Sequence, residues 1–202
     1  MRFENNTSGY YGGAIQNNEA IIISDSVFSN NKSARNGGAV HNGKSAEFYS
    51  VTFEENSCES TTGSAINNAA TAILFIGKYA NGEDSKFINN TGSAAVYNNG
   101  GATLTIGNAY FSGNAGAIYN DGTAIVNGKI TLATSTDTIT GTITVDGESF
   151  ITGDTLQAEL VIDSEASVGK VNVTEGYKIF KAGKDIYVTN ADVIAAIVSE
   201  NN

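Results

Sequence analysis

Residues 28–40 read Phe28-Ser29-Asn30-Asn31-Lys32-Ser33-Ala34-Arg35-Asn36-Gly37-Gly38-Ala39-Val40, and the phrases at the two ends of this stretch decide the fold. Phe-x-x-Asn opens it and returns at Phe3, Phe53, Phe87 and Phe111. Gly-Gly-Ala-Val closes it and returns, intact or degenerate, as Gly12-Gly13-Ala14-Ile15, Gly63-Ser64-Ala65-Ile66, Ser93-Ala94-Ala95-Val96 and Ala115-Gly116-Ala117-Ile118. Successive Phe residues lie 25, 25, 34 and 24 positions apart. A period this short falls below the roughly 33 residues or more of helical repeats, and suits one coil of a parallel β-helix built from three short strands.

The strands can be placed within each coil. One runs to the Phe, as in Asp25-Ser26-Val27-Phe28; a second is the Ala-Ile phrase. A third is an apolar run such as Ala20-Ile21-Ile22-Ile23, Ala72-Ile73-Leu74-Phe75 or Ala102-Thr103-Leu104-Thr105-Ile106. All are short, rich in Ile, Val, Phe and Thr, and bounded by Gly and Asn. Phe and the Ile or Val should point inward and stack on their equivalents, as a continuous solenoid core requires.

Two asparagine series hold register without slippage. Asn6, Asn31, Asn56, Asn90 and Asn114 each follow a Phe by three residues, and Asn17, Asn42, Asn68, Asn98 and Asn120 each follow the Ile or Val by two. Asn accepts the left-handed backbone of tight corners and can bond its equivalents in a stack. Both series are therefore expected to be structural corners. The paired Gly should permit the bend into the strand, and the small Ala a close approach of neighbouring coils.

Composition narrows the function. The 202 residues carry a net charge of -10, with 16% charged and 41% hydrophobic side chains. Such a chain is a poor partner for nucleic acid or an anionic lipid surface. No run approaches the ~18 apolar residues of a membrane helix, so no membrane insertion is expected in this segment, and the N-terminus lacks a basic-then-apolar leader pattern. Because the repeat is already under way at Phe3, Met1 reads as a start inside a longer protein.

Catalytic chemistry is hard to assemble. With a single His and a single Cys, zinc sites built from those residues are excluded, and no cofactor or metal is expected. His41 occupies the place held by Gln16, Asn67, Tyr97 and Tyr119 in other coils, so it reads as an outward surface residue. Cys58 reads as a loop thiol with no His placed to activate it. Within the regular coils no register carries acids on two successive turns; Glu4 and Glu54 share one, with Ser29 between them. Glu83-Asp84, in the insertion, is a tight acidic pair and reads as a solvated loop.

Alternation of Gly-Gly-Ala-[Ile/Val] with Phe-x-x-Asn over residues 1–122 resembles the repeats of chlamydial-type polymorphic outer membrane proteins and similar autotransporter adhesin passengers. The resemblance implies an all-β, right-handed, single-stranded parallel β-helix, displayed on or secreted from a bacterial surface, with adhesive function and no catalytic residues to carry over. Its expected partners are a host-cell surface protein or glycan, with self-association as a further expectation.

Three segments follow. Residues 1–122 form the regular coils, interrupted by an insertion at 76–86 about nine residues longer than its neighbours, which is either a tolerated surface excursion or a binding loop. Residues 123–190 are expected to continue as looser solenoid coils, with a separate β-sandwich as the alternative. Residues 191–202 have helical spacing after Asn190 and are expected to form a short capping helix or tail. Binding is expected at Tyr97, Tyr119 and Tyr79: the first two share an outward register and would either stack on a ligand or shield the sheet as a surface ladder. The competing function is a carbohydrate-active β-helix (a polysaccharide lyase, a hydrolase or a phage tailspike) drawing its acids from Asp137, Asp146, Asp154 and Asp163.

Overall fold

The computed structural model describes residues 1–145 and the backbones of strands 158–162, 168–173, 177–182 and 185–190. The terminal helix expected at 191–202, with Asp146, Asp154 and Asp163, lies outside the described residues. Every described regular element is a strand, and coil pairs with coil in parallel. The alanine–isoleucine strands Ile15–Asn17, Val40–Asn42, Ile66–Asn68, Val96–Asn98, Ile118–Asn120 and Ile139–Val145 stack in that order. The apolar runs Ala20–Ser24, Ser45–Tyr49 and Ile73–Gly77 form a second face, and the phenylalanine strands Arg2–Glu4, Val27–Ser29, Thr52–Glu54 and Ser85–Ile88 a third. In later coils the last two faces fuse into the ten-residue strands Thr103–Ser112 and Thr123–Leu132. Parallel pairing persists to Val168–Val173; Ala158–Ile162, Asp185–Asn190 and Tyr177–Ala182 then join antiparallel.

Each of the first three coils has one more strand than expected. Thr7–Ser8, Lys32–Ser33 and Ser57–Cys58 form a small parallel sheet at the corner after each ladder asparagine, confined to the first three coils. Two-residue strands of mixed polarity carry no periodicity, so the sequence has no signal for them. Cys58 belongs to this sheet and is buried, not in a loop.

The core is a stack of like on like. The rings of Phe3, Phe28, Phe53, Phe87 and Phe111 lie nearly parallel, with centroids 4.5, 4.8, 5.0 and 4.8 Å apart. Burying each such ring contributes on the order of 2 to 3 kcal/mol. Ala39, Ala65, Ala95 and Ala117 are fully buried, and the carbonyls of Ala39 and Ala65 each accept two backbone N–H groups from the preceding coil. A larger side chain would hold those backbones apart.

The asparagines form two hydrogen-bonded ladders. Along the phenylalanine side, Asn31 donates from Nδ2 to Asn56 Oδ1 at 2.9 Å and to the Phe3 carbonyl at 2.9 Å. Asn56 and Asn90 repeat this upward, and each Oδ1 also accepts the backbone N–H of the asparagine below. The second ladder runs Asn17, Asn42, Asn68, Asn98, Asn120, with Nδ2 to Oδ1 distances of 2.7 to 2.8 Å. None of these residues takes the left-handed conformation expected of them. In the Phe-x-x-Asn corners it falls one position earlier, at Asn5, Asn30, Glu55, Asn89 and Gly113. The repeated Asn is retained for its amide; its neighbour makes the turn.

The nine extra residues of the third coil are dispersed. Tyr49 and Thr52 are three apart, whereas their register partners Gly77 and Lys86 are nine apart, which places six of the extra residues there. Asn42 and Ser45 are three apart where Asn68 and Ile73 are five apart, which places two more in a turn around Thr71. Ile76, Gly77, Ser85 and Lys86 are strand residues, so the projecting loop is 78–84 rather than 76–86.

Substituting Asn56 by Ala leaves the Asn31 backbone N–H without its acceptor and the Phe28 carbonyl without the Asn56 amide, and reduces Asn31 Nδ2 and Asn90 Oδ1 to one partner each, the Phe3 carbonyl and the backbone N–H of residue 56. The expected cost is about 3 kcal/mol or more, read by urea unfolding, whereas Asn6→Ala at the exposed end should cost well under half of that. Gly37 has φ +69°, and a Cβ there would sit 2.0 Å from the Val40 carbonyl oxygen. Gly37→Ala should therefore also destabilise, by at least about 1 kcal/mol.

Candidate functional site

The alanine–isoleucine face carries one outward column. Strand alternation buries Val96 and Asn98 and turns Tyr97 away from the core. The parallel register then sets Gln16, His41, Asn67, Tyr97, Tyr119 and Thr140 one above another. Tyr97 and Tyr119 stack with centroids 4.6 Å apart and planes 13° from parallel.

Cover over this column changes along the axis. In the first three coils the corner beside it is long: the small sheet and the bridges Tyr11–Asn36–Thr62 build a wall. Tyr11 stacks on His41 at 4.6 Å, and Asn67 is completely buried. His41 is thus half-covered by an aromatic ring, not the surface residue expected, and the column is outward without being uniformly exposed. From Phe to Ala the linker is 11, 11 and 12 residues in the first three coils, then 8 and 6. The wall stops at the bridge Ser57–Thr91, and beyond it the tyrosines emerge, Tyr97 half-buried and Tyr119 38% exposed.

A groove of about 300 Å³ lies at this step, lined by Thr61, Gly92, Ser93, Ala94, Tyr97 and Tyr119. The tyrosines were legible as an outward pair, but Thr61 and the 92–94 turn were not. The signal was present in the shortening linker and in the loss of Gly-Gly from Ser93-Ala94-Ala95, where the left-handed glycine is Gly92 instead.

Electrostatics differ along the column. Burial holds the His41 imidazole below its usual range, with neighbouring Asn67 acting in the opposite direction. His41 Nδ1 and both polar side-chain atoms of Asn67 are buried without a well-formed hydrogen bond. Burial, then Tyr119 and Asp121, push the Tyr97 phenol up.

Tyr79 sits on a different face. It stacks on Tyr49 at 4.7 Å, and Tyr49 in turn contacts Phe75 at 5.2 Å. The Tyr49 hydroxyl donates to Glu47 at 2.7 Å, and that bond, aided by burial, pushes its phenol up to about 12. In the same loop Glu83 pairs with Lys86, and Asp84 with Lys78.

Asp137 is unsuited to catalysis. It is fully buried in the place the ladder asparagines hold in earlier coils, and its carboxylate accepts from Asn114 N and Nδ2, Gly113 N, Thr134 N and the Thr134 hydroxyl. Among the described residues no group of three or more His, Cys, Asp and Glu side chains could hold a metal ion, and no helix is long and apolar enough to cross a membrane.

A family model of the Chlamydia polymorphic membrane protein repeat matches residues 1–18 and 25–43, which is the resemblance the two phrases imply. No curated protein and no solved structure matches the chain.

Around the usual histidine value of about 6.5 the unfolded chain takes up a proton that folded His41 declines, so stability should rise with pH across that window and fall on acidification below it. His41→Gln, which installs the first coil's Gln16, should flatten that part of a melting-temperature profile. An unchanged slope would show that His41 titrates normally in the fold.

Proposed function

We propose that the chain is a non-enzymatic segment of a bacterial adhesin, surface-exposed or secreted, in which a β-helical rod presents aromatic side chains and short loops to a host-cell surface protein or glycan. The observation that carries this reading is the Tyr97–Tyr119 pair: two stacked rings on a rigid strand face, half out of the sheet, beside a groove where the corner wall ends. The repeated polar residues are committed to internal ladders and the repeated apolar ones to the core, which leaves variable positions to meet partners. Tyr97 and Tyr119 are the binding residues of this reading, with Tyr79 and the 78–84 loop as a separate aromatic surface. The repeat match supports a bacterial surface location, and burial of Asp137 removes one of the acids that a carbohydrate-cleaving reading needs.

Binding of fluorescent protein to host epithelial cells should fall by at least about tenfold, or 1.4 kcal/mol, when Tyr97 and Tyr119 are both changed to Ala with the strand spectrum retained. Full binding by the double variant would remove this face from the function. Release of reducing ends or unsaturated sugars from a glycan panel would overturn the non-enzymatic reading altogether.

A further inference from the structure

We infer that the groove beside Tyr97 and Tyr119 accepts one neutral pyranose unit of a glycan. The inference rests on the adhesin reading and names the ligand class of that same groove. A pyranose is amphipathic, with carbon-bound hydrogens on one side of the ring and hydroxyls around the rim. The groove offers the matching pair of surfaces. Tyr97 and Tyr119 supply aromatic carbon, and Thr61, Ser93 and the two tyrosines are hydroxyl-bearing lining residues, the Ser93 hydroxyl donating to the Ala94 carbonyl. Ala94 adds little bulk to that turn, and at Gly92 a side chain would run into the Cys58 carbonyl, so the turn itself depends on glycine.

Size and charge narrow the class. At about 300 Å³ the groove is at the small end of ligand pockets, room for a single ring rather than an extended ligand. The lining holds no Lys or Arg to pair with a carboxylate or sulfate. The negative field of Asp121 reaches Tyr97, and the whole chain carries -10. An acidic sugar would meet repulsion with no compensating partner, whereas a neutral one loses nothing. Stacking of the tyrosines on each other, over backbone paired on both sides, fixes the aromatic wall before a ligand arrives, so little entropy is lost on binding. The site arises where coil three's long corner meets coil four's short one, so it occurs at that step rather than once per repeat.

Saturation-transfer NMR of the full chain tests this with neutral galactosyl, glucosyl and mannosyl oligosaccharides, each beside a sialylated or sulfated counterpart. Neutral rings should receive saturation on their carbon-bound hydrogens, with a Kd of order 1 mM for one ring, and acidic counterparts should bind at least about fivefold more weakly at low salt. Tyr119→Thr, which copies Thr140 of the next coil, and Thr61→Trp, which fills the groove from an exposed position, should each weaken binding by about tenfold or more. Ile22→Ser on another face should not. Equal or tighter binding of acidic sugars, or indifference to both groove variants, overturns the inference. If no sugar binds while cell binding still depends on Tyr119, the ligand is a protein and only the sugar assignment fails. If neither sugars nor cells bind, the adhesin reading fails with it.

Discussion

A buried amide must find both a donor and an acceptor, and in this molecule the interior ladder asparagines find them on the coils above and below. Asn56 receives from Asn31 and gives to Asn90 and to the carbonyl of Phe28, so no polar atom of its side chain is left over. That arrangement works only if coils are spaced by one strand repeat and share a register. Every other stacking, the phenylalanine rings included, inherits its spacing from the same condition. One coil out of register would strand amides on both neighbours, which makes the ladders a device for specificity as much as for stability.

The ladder also shows how far the rule bends. In the sixth coil the position passes to Asp137, whose carboxylate can only accept. It therefore ends the donor chain, and two further donors are recruited from Thr134 in its own turn. A carboxyl group buried in this place is tolerated because backbone N–H groups, an amide and a hydroxyl all converge on it. An acid that looked catalytic by residue type is thus a terminus of the scaffold.

Freedom to vary lies at the corner between the ladder asparagine and the alanine. Long corners build the small sheet, bury Asn67 and half-cover His41; short ones let Tyr97 and Tyr119 emerge. Loss of the paired glycine in the fourth and fifth coils follows from the same shortening, since the left-handed bend before the alanine is no longer made at that position. What looks in the sequence like decay of a motif is, in space, the edge of a wall.

Much was legible before any coordinates. Phe-x-x-Asn and Gly-Gly-Ala-Ile recur because a stacked coil demands the same residue at the same angle, so period, strand type, inward residues and the shared column of Gln16, His41, Asn67, Tyr97 and Tyr119 could be read from spacing alone. Spacing is a property along the chain, and it says nothing of what leans over a column from a neighbouring corner. For that reason the depth of Asn67, the ring covering His41, the division of the third coil's extra residues and the groove beside Tyr97 had to wait for the tertiary structure. Burial and cavities depend on where loops from different coils meet, and loops carry no periodicity to announce it.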